Sequence, residues 1–300
     1  MPSLPFAVPN PDRLLADEPL ARHTAVRLGG PADWLYVAQE SPDELARVVG
    51  AAWETGTPLV ILGGGANVLI SDSGVRGLLV INDVATVTFE GDIVTASAGH
   101  GLTTLARKCA ARGLSGFEWA ASVPGTVGGA VVNNAGAHGG DMAGNVQAVD
   151  LLDAQQGRMT LGPSDLAYGY RTSALKARAD RRFLVLSAIL RLQAGDPAEI
   201  SQRIDAFIAY RKRTQPPGAS LGSIFKNPTG DYAGRLIESC GLKGHAVGGA
   251  QVSAVHANFF INRGGATASD YSALIEHVQA AVLAETGVHL ETEIERVGAW

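Results

Sequence analysis

Residues 62–72 read LGGGANVLISD and directly follow the short apolar stretch PLVIL at residues 58–62. The apolar stretch predicts a buried strand. The consecutive glycines after it leave neighbouring backbone N–H groups open to an anion, with no side chain in the way. A pyrophosphate would satisfy that geometry, and a tight turn that only needs positive φ angles would also explain the glycines. The segment therefore indicates a nucleotide-binding loop without fixing its class.

Two common nucleotide motifs are excluded by the residues around these glycines. Val68 stands where the dinucleotide fingerprint G-x-G-x-x-G needs its last glycine, and the following Val-Leu-Ile favours a strand where that motif opens a helix. Neither glycine-rich stretch contains the Gly-Lys-Ser/Thr of a P-loop. A second glycine-rich segment, SVPGTVGGAVVNNAGAHGG at residues 122–140, offers more backbone amides. Two such loops suit a long cofactor anchored at two places better than a mononucleotide.

The elements around these loops predict alternating helices and strands. A helix is predicted from Pro42, with Ser41 as its cap and Glu44 closing a capping box. A connecting helix is predicted over residues 196–213, followed by Gln-Pro-Pro-Gly at 215–218 as a domain boundary. Beyond it, helices are predicted near residues 231–240 and 270–286. The pattern indicates two larger segments and a smaller α+β unit.

Composition limits the class of partner. The formal net charge is −5 and the sequence pI is about 5.8, which disfavours nucleic acids and anionic membranes as partners. The two cysteines, Cys109 and Cys240, suggest no disulfide framework, and no His, Asp or Glu spacing predicts a metal site. No apolar run is long enough to span a bilayer. We therefore expect a cytoplasmic protein that binds small molecules.

Three residues could carry chemistry, and each also has an ordinary structural interpretation. Ser223 in LGSIFKNP could present its hydroxyl from a turn, or could only form turn hydrogen bonds. Arg171 in YGYRTS could bind a carboxylate, or could lie along a tyrosine at the surface. Glu293 in LETEIE could belong to a strand whose Glu291, Glu293 and Glu295 share a solvated face. For His256 in VSAVHAN we expect a structural role.

Six blocks together resemble, in order, the motifs of the UDP-N-acetylenolpyruvoylglucosamine reductase (MurB) family, in its shorter type. The resemblance spans residues 24–298, and the blocks are LGGGANVLISD, SVPGTVGGAVVNNAGAHG, YGYRTSALK, LGSIFKNP, LIESCGLKGHAVGGAQVSAVHANFFIN and LETEIERVG. It implies an α+β chain with a vanillyl-alcohol-oxidase (PCMH)-type FAD-binding fold of two α+β subdomains and a smaller α+β substrate-binding domain. The chain departs from the motifs at Leu175, at His138, and at Val132 and Asn133.

The resemblance also implies an activity and a division of the chain. The family uses NADPH and non-covalently bound FAD to reduce the enolpyruvyl ether of a UDP-sugar to UDP-N-acetylmuramate, in peptidoglycan synthesis. The first FAD subdomain would comprise residues 1–82 rejoined by 287–300, the second 83–215, and the substrate-binding domain 216–286. The protein would be a monomer without a metal.

Site residues carry over by motif. Hydride passes from flavin N5 to C3 of the substrate and Ser223 protonates C2, while Arg171 and Glu293 stabilise the intermediate. Glu293 would need to keep its proton, which requires a raised pKa. Substrate contacts are expected from Lys226, Asn227, Gln251 and Tyr170. The expected FAD contacts are Leu62, Gly63, Gly64, Gly65, Ala66, Asn67, Val68, Ser122, Val123, Gly125, Thr126, Gly128 and Gly129.

Two other functions remain open on this pattern. A flavin oxidase of the same fold would explain both glycine-rich loops but not the set Ser223, Arg171 and Glu293, and it would consume oxygen. A non-catalytic flavin or nucleotide-sugar binding protein would keep the scaffold without turnover.

Overall fold

The computed structural model describes residues 4–300, which form two compact units. The first unit contains the chain up to Ala16 together with Asp33–Gly64 and Gly77–Tyr210. The second contains Asp17–Ala32, Gly65–Arg76 and Arg211–Trp300. The residue 64/65 boundary lies inside the first glycine-rich segment.

Helices and strands alternate along the described chain. The helices are α1 Pro42–Glu54, α2 Leu102–Ala110, α3 Val127–Asn133, α4 Pro163–Leu166, α5 Ala174–Ala177, α6 Pro197–Thr214, α7 Ala233–Ser239 and α8 Ala268–Thr286. The strands are β1 Leu14–Pro19, β2 Pro31–Ala38, β3 Leu59–Leu62, β4 Val68–Ile70, β5 Val75–Asn82, β6 Val87–Glu90, β7 Ile93–Ser97, β8 Leu114–Ser115, β9 Gly136–Ala137, β10 Gly140–Asp141, β11 Val146–Asp153, β12 Gly157–Leu161, β13 Phe183–Arg191, β14 Gln193–Ala194, β15 Ala219–Ser223, β16 Ala246–Val247, β17 Ala250–Val252, β18 Phe259–Asn262 and β19 Glu295–Val297. The predicted α+β class is confirmed.

The sheets follow from local pairing. One four-stranded sheet has the order β1-β2-β5-β3, in which β3 and β5 are parallel. A five-stranded sheet has the order β12-β11-β13-β7-β6, and all of its pairs are antiparallel. A third sheet, β15-β18-β17-β16, is also antiparallel. β4 and β19 form a separate parallel pair, although they lie more than two hundred residues apart in the sequence.

Helix α1 begins where the sequence predicted, but its capping differs. The Ser41 hydroxyl accepts a hydrogen bond from the Glu44 N–H at 3.1 Å, as expected for an N-cap. The Glu44 carboxylate does not close the predicted capping box on Ser41. It accepts hydrogen bonds from the N–H groups of Gln39 and Glu40 and from the Tyr36 hydroxyl. Burial would raise the pKa of Glu44, and these donors hold it below its ordinary value.

The first unit has two apolar cores. One lies around α1 and includes Tyr36 and Val80. The other includes apolar residues of α2 and α3 against the inward side chains of the five-stranded sheet, such as Leu105, Val127 and Leu190. A short helix, α3, thus carries the second glycine-rich segment against a strand, which sequence propensity did not predict. Tertiary packing outweighs the low helix propensity of Gly128 and Gly129 here.

The second unit has its own core. Fully buried aromatic rings of Phe225, Phe260 and Tyr271 meet at centroid distances of 6.0 Å and 5.9 Å. Helix α8 begins at a capping box between Thr267 and Asp270, and it ends at Gly287 with a left-handed conformation. Burying an aromatic side chain of this size contributes about 2 kcal/mol. This core fixes the strand that ends at Ser223.

Candidate functional site

The two glycine-rich loops meet within the first unit. A Cβ atom on Gly64 would lie 3.2 Å from the Cα of Gly125, and one on Gly63 would lie 2.4 Å from the Thr126 Oγ1. Glycine is therefore needed at Gly64 so that two backbones can approach each other. The convergence that sequence spacing could not establish is present in the structure.

The second loop is held by the chain that leads into α2. Gly128 N–H donates to the Ala98 carbonyl at 2.8 Å, and Val127 N–H donates to the His100 carbonyl at 2.9 Å. Leu102 N–H donates to the Gly125 carbonyl at 3.1 Å. These three bonds fix residues 125–128 against residues 98–102. The loop is thus rigid enough to present its amides in one orientation.

The first loop has donors to offer. Gly63 and Gly64 are the residues of this loop that belong to the first unit, and within residues 4–300 their backbone N–H groups donate no hydrogen bond to another group. On α3, a Cβ on Gly129 would meet only the Thr126 Oγ1, at 3.8 Å, so this glycine has space beside it. Within the first unit, the N–H groups of Gly63 and Gly64 and the space beside Gly129 are features that an anion such as a pyrophosphate requires.

The remainder of the first segment belongs to the second unit, where backbone and side-chain hydrogen bonds hold it. The Asn67 side-chain amide donates to the Glu293 carbonyl at 3.2 Å, and Val68 pairs in parallel with Glu295. The Asp72 carboxylate accepts hydrogen bonds from Ala268 and Ser269 at the start of α8. Burial would raise the pKa of Asp72, whereas these donors lower it. Residues 67–72 therefore connect the loop to Glu293 and to α8.

Ser122, at the start of the second loop, is buried between the main chain and a ring. Its hydroxyl donates to the Trp119 carbonyl at 3.3 Å and lies 3.1 Å from the His138 Nε2. The His138 ring stacks on Phe207 with centroids 4.1 Å apart. His138, which departs from the family motif, therefore contacts Ser122, an expected FAD residue. Val123 directly follows Ser122 in the chain.

Arg171 has an unusual backbone conformation. Its φ of 55° lies in the left-handed region, which an arginine adopts only when its surroundings compensate the strain. Its Nη2 donates to the Gly136 carbonyl at 2.8 Å, and the guanidinium lies 5.4 Å from the ring centroid of the exposed Tyr170. Arg171 therefore lies beside a tyrosine, as the structural interpretation expected, and it also binds a backbone carbonyl.

The loop that carries Arg171 is bound to the end of α3 by three side chains that sequence reasoning missed. Asn134 donates to the Gly169 carbonyl at 3.0 Å, and Ser173 donates to the Val132 carbonyl at 2.6 Å. Lys176 donates to the Asn133 side chain at 2.7 Å. The only sequence signal was the position of these residues inside the quoted motif blocks. They fix Arg171 relative to the second glycine-rich loop.

Ser223 lies at a bulge in the second unit. The register of β15 against β18 shifts between Ser220 and Ser223, where Gly222 has a φ of 74°. A bulge re-aims the side chains that follow it. Ser223 then pairs with Phe259, and its side chain is partly exposed. It is presented from a fixed strand, as a group that must deliver a proton would be.

Glu293 is hydrogen-bonded through its backbone to the residue that follows Ser223. Its N–H donates to the Ile224 carbonyl at 2.7 Å, and Lys226 N–H donates to the Glu291 carbonyl at 2.9 Å. The predicted strand through Glu291, Glu293 and Glu295 is interrupted: Thr292 forms an isolated bridge, Ile294 is in a bend, and the regular strand begins only at Glu295. Ser223 and Glu293 are brought together through the single residue Ile224.

The expected substrate contacts take several positions. The Lys226 ammonium pairs with the exposed Glu291 carboxylate. The Asn227 Oδ1 accepts a hydrogen bond from Ala233 at the start of α7, at 3.1 Å, while the Gln251 amide donates to the Gly244 carbonyl at 2.8 Å. Lys226 and Asn227 therefore follow Ser223 on one stretch of chain, and Gln251 lies on β17.

His256 has the structural role that was expected. Its Nδ1 accepts a hydrogen bond from Asn258 N–H at 3.2 Å, and its ring packs edge-on against Phe259. Burial is the main cause that lowers the pKa of His256. Within residues 4–300, no group of three or more His, Cys, Asp or Glu side chains could hold a metal ion. Across the same residues, no helix is both long and apolar enough to cross a membrane.

Comparison with known proteins gives the family. Residues 35–161 match an FAD-binding domain, and residues 214–297 match the C-terminal domain of UDP-N-acetylenolpyruvoylglucosamine reductase. The reductase of Rubrobacter xylanophilus is 45% identical over 285 residues, which is 94% of either chain. That of Pediococcus pentosaceus is 43% identical over 288 residues, 95% of either chain.

A solved structure agrees with these relatives. The crystal structure of UDP-N-acetylenolpyruvylglucosamine reductase (MurB) from Thermus caldophilus is 34% identical and superposes with a TM-score of 0.80, covering 95% of this chain and 98% of that one. The predicted FAD-binding fold with an additional C-terminal domain is confirmed. The chain therefore belongs to the UDP-N-acetylenolpyruvoylglucosamine reductase (MurB) family, flavoprotein oxidoreductases of peptidoglycan synthesis.

Proposed function

We propose that this chain uses NADPH and non-covalently bound FAD to reduce the enolpyruvyl ether of UDP-N-acetylenolpyruvoylglucosamine to UDP-N-acetylmuramate. Ser223 is the proton donor, and Arg171 and Glu293 stabilise the charge that develops on the substrate. The observations that support the proposal are the close approach of the two glycine-rich loops and the backbone hydrogen bond that links Glu293 to Ile224, the residue after Ser223. We further propose a monomeric, cytoplasmic enzyme.

The two glycine-rich loops support FAD as the cofactor. Gly63, Gly64 and Gly125 would hold the pyrophosphate through backbone N–H groups, and Thr126 and Gly129 would border it. FAD held there would supply the hydride-transfer chemistry that links NADPH to the enolpyruvyl group. The protein's part is to hold both reactants and to exclude water from the reacting atoms.

Arg171 and Glu293 would stabilise negative charge on the substrate. Addition of hydride at C3 leaves charge delocalised into the substrate carboxylate, where a guanidinium can form two parallel hydrogen bonds. The contacts that fix the Arg171 loop would make that stabilisation available without reorganisation. Glu293, in its protonated form, would donate a hydrogen bond to the developing enediolate.

Ser223 would complete the reaction. A serine hydroxyl is a weak acid, but an enolate carbon is basic enough to take its proton when the two are held close together. The new C–H bond at C2 removes the charge, and solvent restores the proton on the serine. Lys226, Asn227, Gln251 and Tyr170 would contact the substrate.

The test is steady-state turnover of the purified yellow holoprotein, measured with and without oxygen. We expect NADPH oxidation only when the enolpyruvyl UDP-sugar is present, with one UDP-N-acetylmuramate formed per NADPH. NADPH oxidation that needs oxygen and no sugar nucleotide would favour an oxidase. Bound flavin without turnover under either condition would favour a binding protein, and both results would contradict the proposal.

A further inference from the structure

Asn258 forms a two-point contact with the backbone beside Ser223. Its side-chain Nδ2 donates to the Phe225 carbonyl at 2.8 Å, and its Oδ1 accepts from the Phe225 N–H at 2.9 Å. The side chain thus takes both hydrogen-bonding groups of one residue, as a neighbouring strand would. Asn258 is only 3% exposed, so water cannot replace either bond.

The backbone of Asn258 extends the same contact by one residue. Ile224 N–H donates to the Asn258 carbonyl at 2.9 Å, and the Ile224 carbonyl accepts from Glu293 N–H at 2.7 Å. Residues 224 and 225 are therefore held by Asn258 on one side and by Glu293 on the other. Ser223 immediately precedes this doubly held segment, at the bulge where regular pairing is interrupted.

A bulge needs an additional constraint because regular pairing does not fix the residues around it. At this bulge part of the constraint is the Asn258 side chain, so one substitution can remove that part while the backbone bonds to Ile224 remain. We infer that Asn258 is a positioning residue that sets the direction of the Ser223 hydroxyl and its spacing from Glu293. This inference rests on the proposed function, in which Ser223 delivers the proton.

The chain supplies a matched control in Asn262, four residues further along. Its Nδ2 donates to the Val26 carbonyl at 3.0 Å, and its Oδ1 accepts from Gly264 N–H at 2.9 Å. Asn262 therefore also uses one donor and one acceptor on the backbone. Those bonds do not involve residues 223–226. Equal substitutions at the two sites separate a general loss of hydrogen bonds from a loss of position at Ser223.

The experiment compares Asn258→Asp and Asn258→Ser with Asn262→Asp and Asn262→Ser, each purified as the FAD-loaded protein. Aspartate at 258 keeps the acceptor but loses the donor toward the Phe225 carbonyl, and serine is too short to reach both groups. Thermal unfolding is measured, followed by the two half-reactions in rapid mixing: flavin reduction by NADPH, and reoxidation by the enolpyruvyl UDP-sugar in H₂O and in D₂O.

We expect the Asn258 variants to keep flavin reduction within about twofold and to slow reoxidation by about tenfold or more, as transition-state geometry at the proton donor is lost. The solvent isotope effect on reoxidation should rise, because proton delivery becomes slower. The Asn262 variants should unfold at similarly lowered temperatures but reoxidise at wild-type rates with an unchanged isotope effect.

Three results would overturn the inference. Equal reoxidation rates in the Asn258 variants and the Asn262 variants would contradict the positioning role of Asn258. Failure of both Asn258 variants to fold, while the Asn262 variants fold, would assign Asn258 to folding alone. Slowed reoxidation without a change in isotope effect would also contradict it. Ser223→Ala is measured in parallel. Normal reoxidation of Ser223→Ala would contradict the proposed function itself. Slowed reoxidation of Ser223→Ala together with normal reoxidation of the Asn258 variants would contradict the inference alone.

Discussion

At the scale of single residues, Ser223 and Arg171 both lie beside or in an unusual backbone conformation. Ser223 is positioned by a bulge with Gly222 at a φ of 74°, and Arg171 itself has a φ of 55°. Backbone conformations of this kind persist only where the surrounding contacts hold them. Hydrogen bonds to the Arg171 loop and to the strand after Ser223 provide those contacts. The backbone conformation therefore fixes the positions from which these two side chains extend, in addition to their chemical type.

Substitution of Ser223 by alanine tests the proton donor. Ser223→Ala should leave flavin reduction by NADPH nearly unchanged and slow reoxidation by the enolpyruvyl substrate by about 100-fold or more, because only the second step uses the hydroxyl. Rapid-mixing absorbance of the flavin measures both steps. Ser220→Ala, on the same strand, is the control and should change neither. An equal loss in both steps would remove Ser223 from its role.

Substitution of Arg171 by lysine keeps the positive charge and removes the planar guanidinium, which can donate two parallel hydrogen bonds. We expect a loss of about 100-fold in kcat with flavin reduction preserved, since one ammonium cannot reproduce two parallel hydrogen bonds to a carboxylate. Steady-state kinetics with saturating substrate measure it. Activity within about threefold of wild type would show that a point charge is sufficient and would contradict the bidentate role.

At the scale of elements, helix α3 contains two adjacent glycines for which we expect different roles, one in packing and one in ligand binding. A Cβ on Gly128 would lie 2.9 Å from the Ala98 Cβ and 3.2 Å from the Ala98 carbonyl oxygen. A Cβ on Gly129 would meet only the Thr126 Oγ1 at 3.8 Å. The first glycine lets the helix approach the end of β7, and the second leaves space for a ligand.

Alanine at the two positions should separate these tasks. Gly128→Ala should lower the free energy of unfolding of the apoprotein by about 1–3 kcal/mol through overpacking. Gly129→Ala should leave it unchanged or raise it by up to about 1 kcal/mol, as expected for a helical glycine, and should still weaken FAD binding. Denaturant unfolding and FAD titration measure the two effects. Unweakened FAD binding by Gly129→Ala would contradict its place beside the cofactor.

The start of α2 adds a dependence on pH. His100 is buried, its Nδ1 lies 3.0 Å from the Gly101 carbonyl, and its Nε2 lies 3.0 Å from the Lys108 ammonium. Burial is the main cause that lowers the pKa of His100, and the Lys108 charge lowers it further. The unfolded chain protonates at about pH 6.5, where the folded chain does not. Below that pH the unfolded state binds more protons, so stability falls as the pH falls.

We expect the free energy of unfolding to decrease by up to about 1 kcal/mol per pH unit from this residue as the pH falls below about 6.5. His100→Gln should reduce the slope, and part should remain because burial also lowers the pKa of His256. Denaturant unfolding at several pH values measures the slope, with the exposed His289→Gln as control. An unchanged slope in His100→Gln would show that His100 does not stay neutral in the folded chain.

For the whole molecule, the sequence predicted the fold class, the two glycine-rich loops and helices α1, α6, α7 and α8, because these depend on local signals. Ser41, Thr267 and Gly287 end or begin helices through contacts within a few residues. The pairing of Val68 with Glu295 and the cap of Asp72 on α8 escaped prediction, since they join residues about two hundred positions apart. The same holds for Asn258 and Asn134, whose bonds are non-local. An asparagine carries no sequence signal for which distant backbone it will bind.

The central claim is that this chain passes electrons from NADPH through FAD to an enolpyruvyl ether. The most direct measurement is a single turnover without oxygen: the holoprotein is reduced with one equivalent of NADPH and then mixed with the enolpyruvyl UDP-sugar. We expect complete reoxidation of the flavin, with one equivalent of UDP-N-acetylmuramate formed. Flavin that stays reduced until oxygen is admitted would contradict it.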